Sequence, residues 1–278
     1  MEDTLLQRNK LISFGCLALF GALLAGCGNG NSLGPSANSL SRVRVINALV
    51  DYSPQISVAQ TGTAIPITPL NGLGYQDITG DSTTPYSSIR AGNGIAYSVY
   101  TTGTFANPLA QANINLSAHD DNTTNNTGTY TLATVGYVSG GTGVTVANLV
   151  RLVDGFPTTF TGTSANTAAI RLINLSPNSG LLSLFSNGSL LTGSDAAGVS
   201  GVAYAGTAGF DASHYNSGVA TTAPLSLTIR NSANAVLTTI TSTTSVTLLP
   251  NHAYTLFVFG LAGSPSTRPL DVKLVRDF

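Results

Sequence analysis

Val43-Arg44-Val45-Ile46-Asn47 and Ile170-Arg171-Leu172-Ile173-Asn174 are one phrase written twice. Each sets a single Arg among β-branched residues and leucine, ends on Asn, and runs on to a Pro-containing turn, Ser53-Pro54 or Ser176-Pro177. Two further matches follow in the same order. Tyr130-Thr131-Leu132, with Gly136 beyond it, corresponds to Tyr254-Thr255-Leu256 with Gly260, and the segment Val150 to Phe156 corresponds to Val272 to Phe278. The separations of the three pairs differ by only a few residues, which is the signature of a duplicated module.

Between these landmarks the chain alternates apolar and polar residues with a period of two. Leu225, Leu227 and Ile229 share one face, and shorter pieces of the same kind are Ile56/Val58, Ile95/Tyr97/Val99, Val144/Val146 and Leu182/Leu184. Period two means strands, and clusters of Gly, Asn, Pro and Ser separate them as turns. No amphipathic helix pattern interrupts the series. The expected fold is therefore all-β: two tandem immunoglobulin-like β-sandwich domains, residues 43–156 and 169–278, joined by a linker over 157–168. The run Leu248-Leu249-Pro250-Asn251-His252-Ala253-Tyr254 looks like the tyrosine corner of such sandwiches, with Pro250 in the turn and the Tyr254 hydroxyl held by a backbone group. Tyr130 is its counterpart in the first copy. Leu256 and Val258 on one face and Phe257 and Phe259 on the other make this strand apolar on both sides. One face fills a core; the other needs cover from the sister domain, a partner or the C-terminal strand.

Composition narrows the functional classes. Only 8% of the 278 residues are charged, with 11 Lys and Arg against 12 Asp and Glu and a net charge of −1, whereas ordinary soluble domains carry about 25%. Binding nucleic acid requires a concentrated basic patch to displace counterions, so that class is excluded. Thirty Gly and 12 Pro occupy the place of charge, a strand-and-turn composition.

The N-terminus carries an address. Arg8 and Lys10 precede an apolar stretch, Leu11 to Leu24, of the length of a signal-peptide core. Leu24-Ala25-Gly26-Cys27 resembles a bacterial lipobox, which implies a leader over 1–26, diacylglyceryl attachment to the Cys27 thiol, cleavage before Cys27 and acylation of the new amino terminus. Cys16, behind the bulky Phe14, suits the peptidase poorly. Residues 27–42 then read as lipidated cysteine and flexible tether. Gly28 after the cysteine favours the outer membrane by resemblance to Gram-negative lipoproteins. With 1–26 removed, Cys27 is the sole cysteine, so no intrachain disulfide forms and packing alone must hold the modules.

The lipobox, the tandem V-R-V-I-N and I-R-L-I-N openings, Ala91-Gly92 before a strand with Gly206 as its counterpart, and the Y-T-L strands together resemble the bacterial domain-of-unknown-function family DUF4397. The resemblance spans most of 43–278. It implies an extracytoplasmic β fold and brings no activity, cofactor or catalytic residue.

Motifs that suggest chemistry are outweighed by simpler readings. Gly30-Asn31-Ser32-Leu33-Gly34 fits G-x-S-x-G but sits in the tether, without the strand that motif requires. His119, His214 and His252 lack metal-ligand spacing. In Asp211-Ala212-Ser213-His214 the residues are too close in sequence to form a triad by themselves. His119-Asp120-Asp121-Asn122 offers oxygen ligands for calcium without the spacing of a calcium loop, and no Glu follows Glu2 anywhere in the chain. Tyr52, Tyr75, Tyr86, Tyr97, Tyr100, Tyr204 and Tyr215 are candidates for stacking on sugar rings. The expectation is a non-enzymatic lipoprotein of the cell envelope, without cofactor or metal, anchored by lipid and acting through binding, adhesion or structure. Its partner is a protein or a glycan, and the alternative function is that of a glycan-binding accessory protein.

Overall fold

The structure, a computed structural model, describes residues 40–61, 70–80, 86–119, 128–140, 146–154, 166–191, 199–207, 215–221, 225–241, 248–263 and 268–277. Residues Ala37–Phe278 form one compact unit. The architecture is all-β. The first half supplies β1 (Leu40–Leu49), β2 (Ile56–Gln60), β3 (Ser87–Arg90), β4 (Gly92–Thr101), β5 (Ala110–Leu116), β6 (Thr129–Gly136) and β7 (Asn148–Val153). The second supplies β8 (Thr167–Asn174), β9 (Leu182–Ser186), β10 (Ser189–Leu190), β11 (Asn216–Ala220), β12 (Ser226–Asn231), β13 (Val236–Thr241), β14 (Ala253–Phe259) and β15 (Asp271–Arg276).

The repeat in sequence is a repeat in topology. The inner sheets run β3-β1-β6-β7 and β11-β8-β14-β15, and the outer sheets β2-β4-β5 and β10-β9-β12-β13. In both halves the opening strand pairs in parallel with the strand that carries the Tyr-Thr-Leu phrase, β1 with β6 and β8 with β14. This connectivity departs from the immunoglobulin order, in which strands A and B share a sheet. Here β1 and β2 lie in different sheets, as do β8 and β9. Period-two patterning selects strands and faces; it does not select which strands become neighbours.

Alternation explains the packing. Val43 and Val45 of β1 and Tyr130 and Leu132 of β6 point into the first core, where they meet Ile56 and Val58 of β2 and Val99 of β4. Ile170, Leu172, Leu184, Leu227, Ile229, Leu256 and Val258 build the corresponding core of the second half. The intervening residues of the inner strands point the other way and form a third core. In it Ile46, Ala48, Ala133, Val135 and Leu152 meet Ile173, Leu175, Ala205, Phe257 and Phe259. The second apolar face of β14 is thus covered by the sister half. Phe257 and Phe259 are fully buried there, each worth roughly 1.5–3 kcal/mol in removed apolar surface.

Gly136 and Gly260 end β6 and β14 with φ of 93° and 85°, the left-handed region that a side chain disfavours. That requirement accounts for their matched positions in the two copies. Ala91-Gly92 and Ala205-Gly206, expected as counterparts, occupy different places. Gly92 opens β4, whereas Ala205 donates its N–H to Asn174 O, as Gln76 does to Asn47 O in the first half.

The Tyr254 hydroxyl accepts a 2.7 Å hydrogen bond from the Leu249 N–H, across the turn that holds Pro250. Asn251 takes a left-handed φ of 60° in that turn, and His252 Nδ1 lies 2.7 Å from Pro250 O. The Tyr130 hydroxyl accepts from the Ser117 N–H at 3.0 Å. Tyr254→Phe should therefore cost about 1–3 kcal/mol, because it strands a backbone donor in a partly buried turn. Urea unfolding checks this, and a change below about 0.5 kcal/mol, the scale of a neutral surface substitution, would remove the corner from the account of stability.

Candidate functional site

Among the described residues, a group of four ionisable side chains is fully enclosed. Arg44 on β1 and Arg171 on β8 point away from their own cores, as do Thr131 on β6 and Thr255 on β14; Asp154 and Asp277 follow β7 and β15. Arg44, Arg171, Asp154 and Asp277 are each at most 1% exposed. Arg44 Nε donates to Thr131 Oγ1 at 2.7 Å, and Thr131 Oγ1 donates to Asp154 Oδ2 at 2.5 Å. The second half repeats this, with Arg171 Nε to Thr255 Oγ1 at 2.7 Å and Thr255 Oγ1 to Asp277 Oδ2 at 2.6 Å. Tyr86 and Tyr215 each donate a 3.0 Å hydrogen bond to the carboxylate of their own half.

The ion pairs then cross over. Arg44 Nη2 stands 2.7 Å from Asp277 Oδ1, an ion pair without hydrogen-bond alignment. Arg171 Nη2 donates to Asp154 Oδ1, and its Nη1 donates to Val153 O at 3.0 Å. Each arginine is thus fixed by a threonine of its own half and neutralised most closely by an aspartate of the other. Burial alone would lower the pKa of Arg44, but Tyr86, Asp277 and Asp154 raise it well beyond its ordinary value. Arg171 behaves alike, with burial opposed by Tyr215, Asp154 and Asp277. Desolvation pushes the Tyr86 and Tyr215 hydroxyls well above the usual phenol range, so they remain donors. No substrate can approach this cluster. Its chemistry is adhesive: it fastens the two halves around the third core. At the margin, Arg268 Nη2 donates to Tyr52 O at 3.0 Å, and Lys273 Nζ to Gln76 O at 3.2 Å.

Among the described residues an accessible polar surface lies elsewhere, on the outer sheet of the first half. β4 bulges between Gly92 and Ile95, and a bulge bends and twists its strand. Gly94, at φ +63°, donates its N–H to Asn115 Oδ1 at 2.6 Å and fixes the bend. Beside it is a hollow of about 340 Å³ lined by Gln60, Arg90, Ala91, Gly92, Asn93, Gly94, Ile95 and Ala96. A second hollow of about 190 Å³, sharing Ala96, is lined by Thr61, Gln111, Ala112 and Asn113. Gln60, Arg90, Asn93, Gln111 and Asn113 are exposed. Gln111 Nε2 donates to Ser98 Oγ at 3.0 Å, and Ser98 Oγ lies 2.7 Å from Thr61 Oγ1, which orients the amide. The two hollows make one shelf with several amide donors and acceptors, one cation, and no carboxylate among its lining residues.

The tyrosines do not serve as platforms. All 10 lie in described segments and none is exposed. Tyr97, Tyr100 and Tyr215 are buried, while Tyr52, Tyr75, Tyr86 and Tyr204 are half-buried. The Tyr75 ring is covered by the Arg268 guanidinium at 3.8 Å. Leu24, Ala25, Gly26 and Cys27, the Gly30–Gly34 motif, Asp120-Asp121 and Asp211–His214 lie outside the described residues. His119 Nδ1 is 3.3 Å from Thr129 Oγ1. Among the described residues no group of three or more His, Cys, Asp or Glu could hold a metal ion, and no helix is long and apolar enough to cross a membrane. Each of the four buried charges stands at a matched place in the repeat, and that recurrence is the one mark they leave in the sequence.

No family model matches the chain, and no curated protein matches it. Among solved structures it is similar to a multi-modular glycogen-degrading pneumococcal virulence factor, SpuA, at 10% identity and TM-score 0.22, over 79% of this chain and 21% of the other. It is also similar to a streptococcal virulence factor that binds α-glucan, at 12% identity and TM-score 0.20, over 80% and 93%. A candidate cell adhesion protein from Bacteroides eggerthii is similar at 14% identity and TM-score 0.18, over 87% and 97%. The chain spans about a fifth of the first of these. Scores of this size say nothing of what the chain binds.

Proposed function

We propose that the chain is a non-catalytic, lipid-anchored protein of the bacterial cell envelope that holds a neutral glycan on the shelf of its first half. In this reading Cys27 carries the lipid, the outer membrane is the favoured site, and residues 43–156 and 169–278 are two modules of the DUF4397 type. The observation that carries the ligand class is the lining of the shelf. Gln60, Asn93, Gln111 and Asn113 present amides, which both donate and accept, and Thr61 adds a hydroxyl. A polyol needs both roles from its site. Ala96 and Ile95 give the shelf an apolar floor. A glycosidase would set two carboxylates across a sugar, and the lining has none.

The test is a glycan array followed by titration with the purified chain. Replacing Gln111 and Asn113 together by Ala should weaken binding roughly 10- to 30-fold, at about 1 kcal/mol for each lost amide contact. Binding of no glycan, or binding indifferent to the double replacement, would defeat the reading. Capture of a protein at the shelf instead would move the function to adhesion.

A further inference from the structure

The shelf stands where the chain enters the fold. Leu40, the first residue of β1, pairs with Arg90, the last of β3, and its carbonyl accepts the His119 N–H at 2.7 Å. Arg90 lines the larger hollow, so one wall of the hollow is about one strand spacing, ~5 Å, from the start of β1. Twelve residues separate Cys27 from Leu40, and at most ~3.6 Å per residue they span no more than ~43 Å. A tether of this length raises the effective concentration of a ligand in the same membrane to the millimolar range. A shallow shelf without a stacking aromatic needs that help, since a few net hydrogen bonds give only weak binding by themselves.

We infer that the ligand is a lipid of the membrane that carries the anchor, recognised through a neutral sugar headgroup. The inference rests on the proposed glycan reading and adds the source of the glycan. The headgroup hydroxyls meet Asn93, Gln111 and Asn113, and Arg90 faces the membrane surface at the mouth of the hollow.

The experiment uses the acylated full chain in phosphatidylcholine vesicles, with and without digalactosyl diacylglycerol as the probe. Backbone hydrogen exchange is followed over residues 90–96 and 111–113. Exchange there should slow several-fold in the glycolipid vesicles, and the slowing should vanish in the Gln111→Ala, Asn113→Ala chain. If free neutral glycan slows exchange but the glycolipid does not, the inference falls while the glycan reading stands. If neither slows it, both fall. Equal slowing in vesicles of phosphatidylglycerol without sugar would overturn the inference in favour of charge attraction to Arg90.

Discussion

Asp277→Asn should lower the stability of the whole chain by about 3–5 kcal/mol, the cost of removing one partner from a buried ion pair. The substitution keeps the shape of the side chain and removes its charge. Arg44 then remains 0% exposed with its nearest counter-charge gone; Asp154 Oδ2 is the other, at 3.6 Å. Thr255 and Tyr215 also lose a carboxylate as acceptor. The loss should appear as one cooperative shift in urea, because the pair joins the two halves across a shared core. Asp271→Asn, on an exposed position of β15, is the control and should stay within about 0.5 kcal/mol. A similarly small effect of Asp277→Asn, or a shift confined to one of two separate transitions, would show that the halves do not depend on the crossed pairs. The arginines themselves add no pH dependence in the usual range. Their raised pKa values mean that their contribution is fully present below the ordinary guanidinium range and declines only above it.

A buried ion-pair cluster is not in itself a reason for the fold to be more stable than with an apolar junction. Pairing in a dry interior roughly repays desolvation, and hydrophobic substitutes of like shape often serve as well. What crossed pairs add is discrimination. Sliding one inner sheet over the other would part Arg44 from Asp277 and Arg171 from Asp154 and leave four buried charges unmatched. Arg44 and Arg171 thus set the register of two apolar faces that Ile46, Ile173, Phe257 and Phe259 would otherwise hold without preference. We advance this specifying role as a hypothesis: replacing Arg44, Arg171, Asp154 and Asp277 together by apolar residues of like size should change urea stability little yet give more than one set of amide resonances, and a single set would overturn it.

Much of this architecture was legible in the residues. The paired phrases around Arg44 and Arg171 revealed two copies, and strict alternation in Leu225–Ile229 marked the strand that became β12. The double-sided apolar character of Phe257 and Val258 announced that β14 would be covered twice. Strand neighbours were not legible, because alternation is blind to which edge pairs with which. That is why an immunoglobulin order was expected, while β1 lies parallel to β6 in a sheet without β2. The buried charges were hidden by a rule that usually holds: Arg and Asp on strands are read as solvent-facing. Only their recurrence at matched places in both copies, with Arg44 and Arg171 on strands otherwise apolar on both faces, could have signalled a shared interior. The shelf was invisible for another reason. Gln60, Asn93 and Gln111 are unremarkable in sequence; the bulge at Gly92–Ile95 lies in the hollow that Gln60 and Asn93 line, and Gln111 lines the one that adjoins it at Ala96. The tyrosines misled because aromatic rings on strands look alike in sequence whether they pack or protrude.

Cys27→Ala should abolish acyl labelling and move the protein from the membrane pellet to the soluble fraction. In the proposed reading the Cys27 thiol takes the diacylglyceryl chain, and cleavage then exposes the amine that takes a further acyl group. With each buried methylene worth about 0.8 kcal/mol, two or three chains hold a protein at a bilayer for practical purposes permanently, whereas none leaves a chain of net charge −1 with no attraction to an anionic surface. Cys16→Ala supplies the control, since it should leave both labelling and fractionation unchanged. Folding should be indifferent to either change, because both cysteines precede the compact unit that begins at Ala37; equal urea midpoints for the Cys27→Ala and unaltered chains check this. The variant also separates anchoring from recognition. A released chain that still binds the free glycan, but no longer shows slowed exchange at residues 90–96 with the vesicle-borne sugar, places the affinity in the shelf and the effective concentration in the lipid. Persistent acyl labelling of the Cys27→Ala chain would instead end the lipoprotein reading, and with it the case for a ligand in the anchoring membrane.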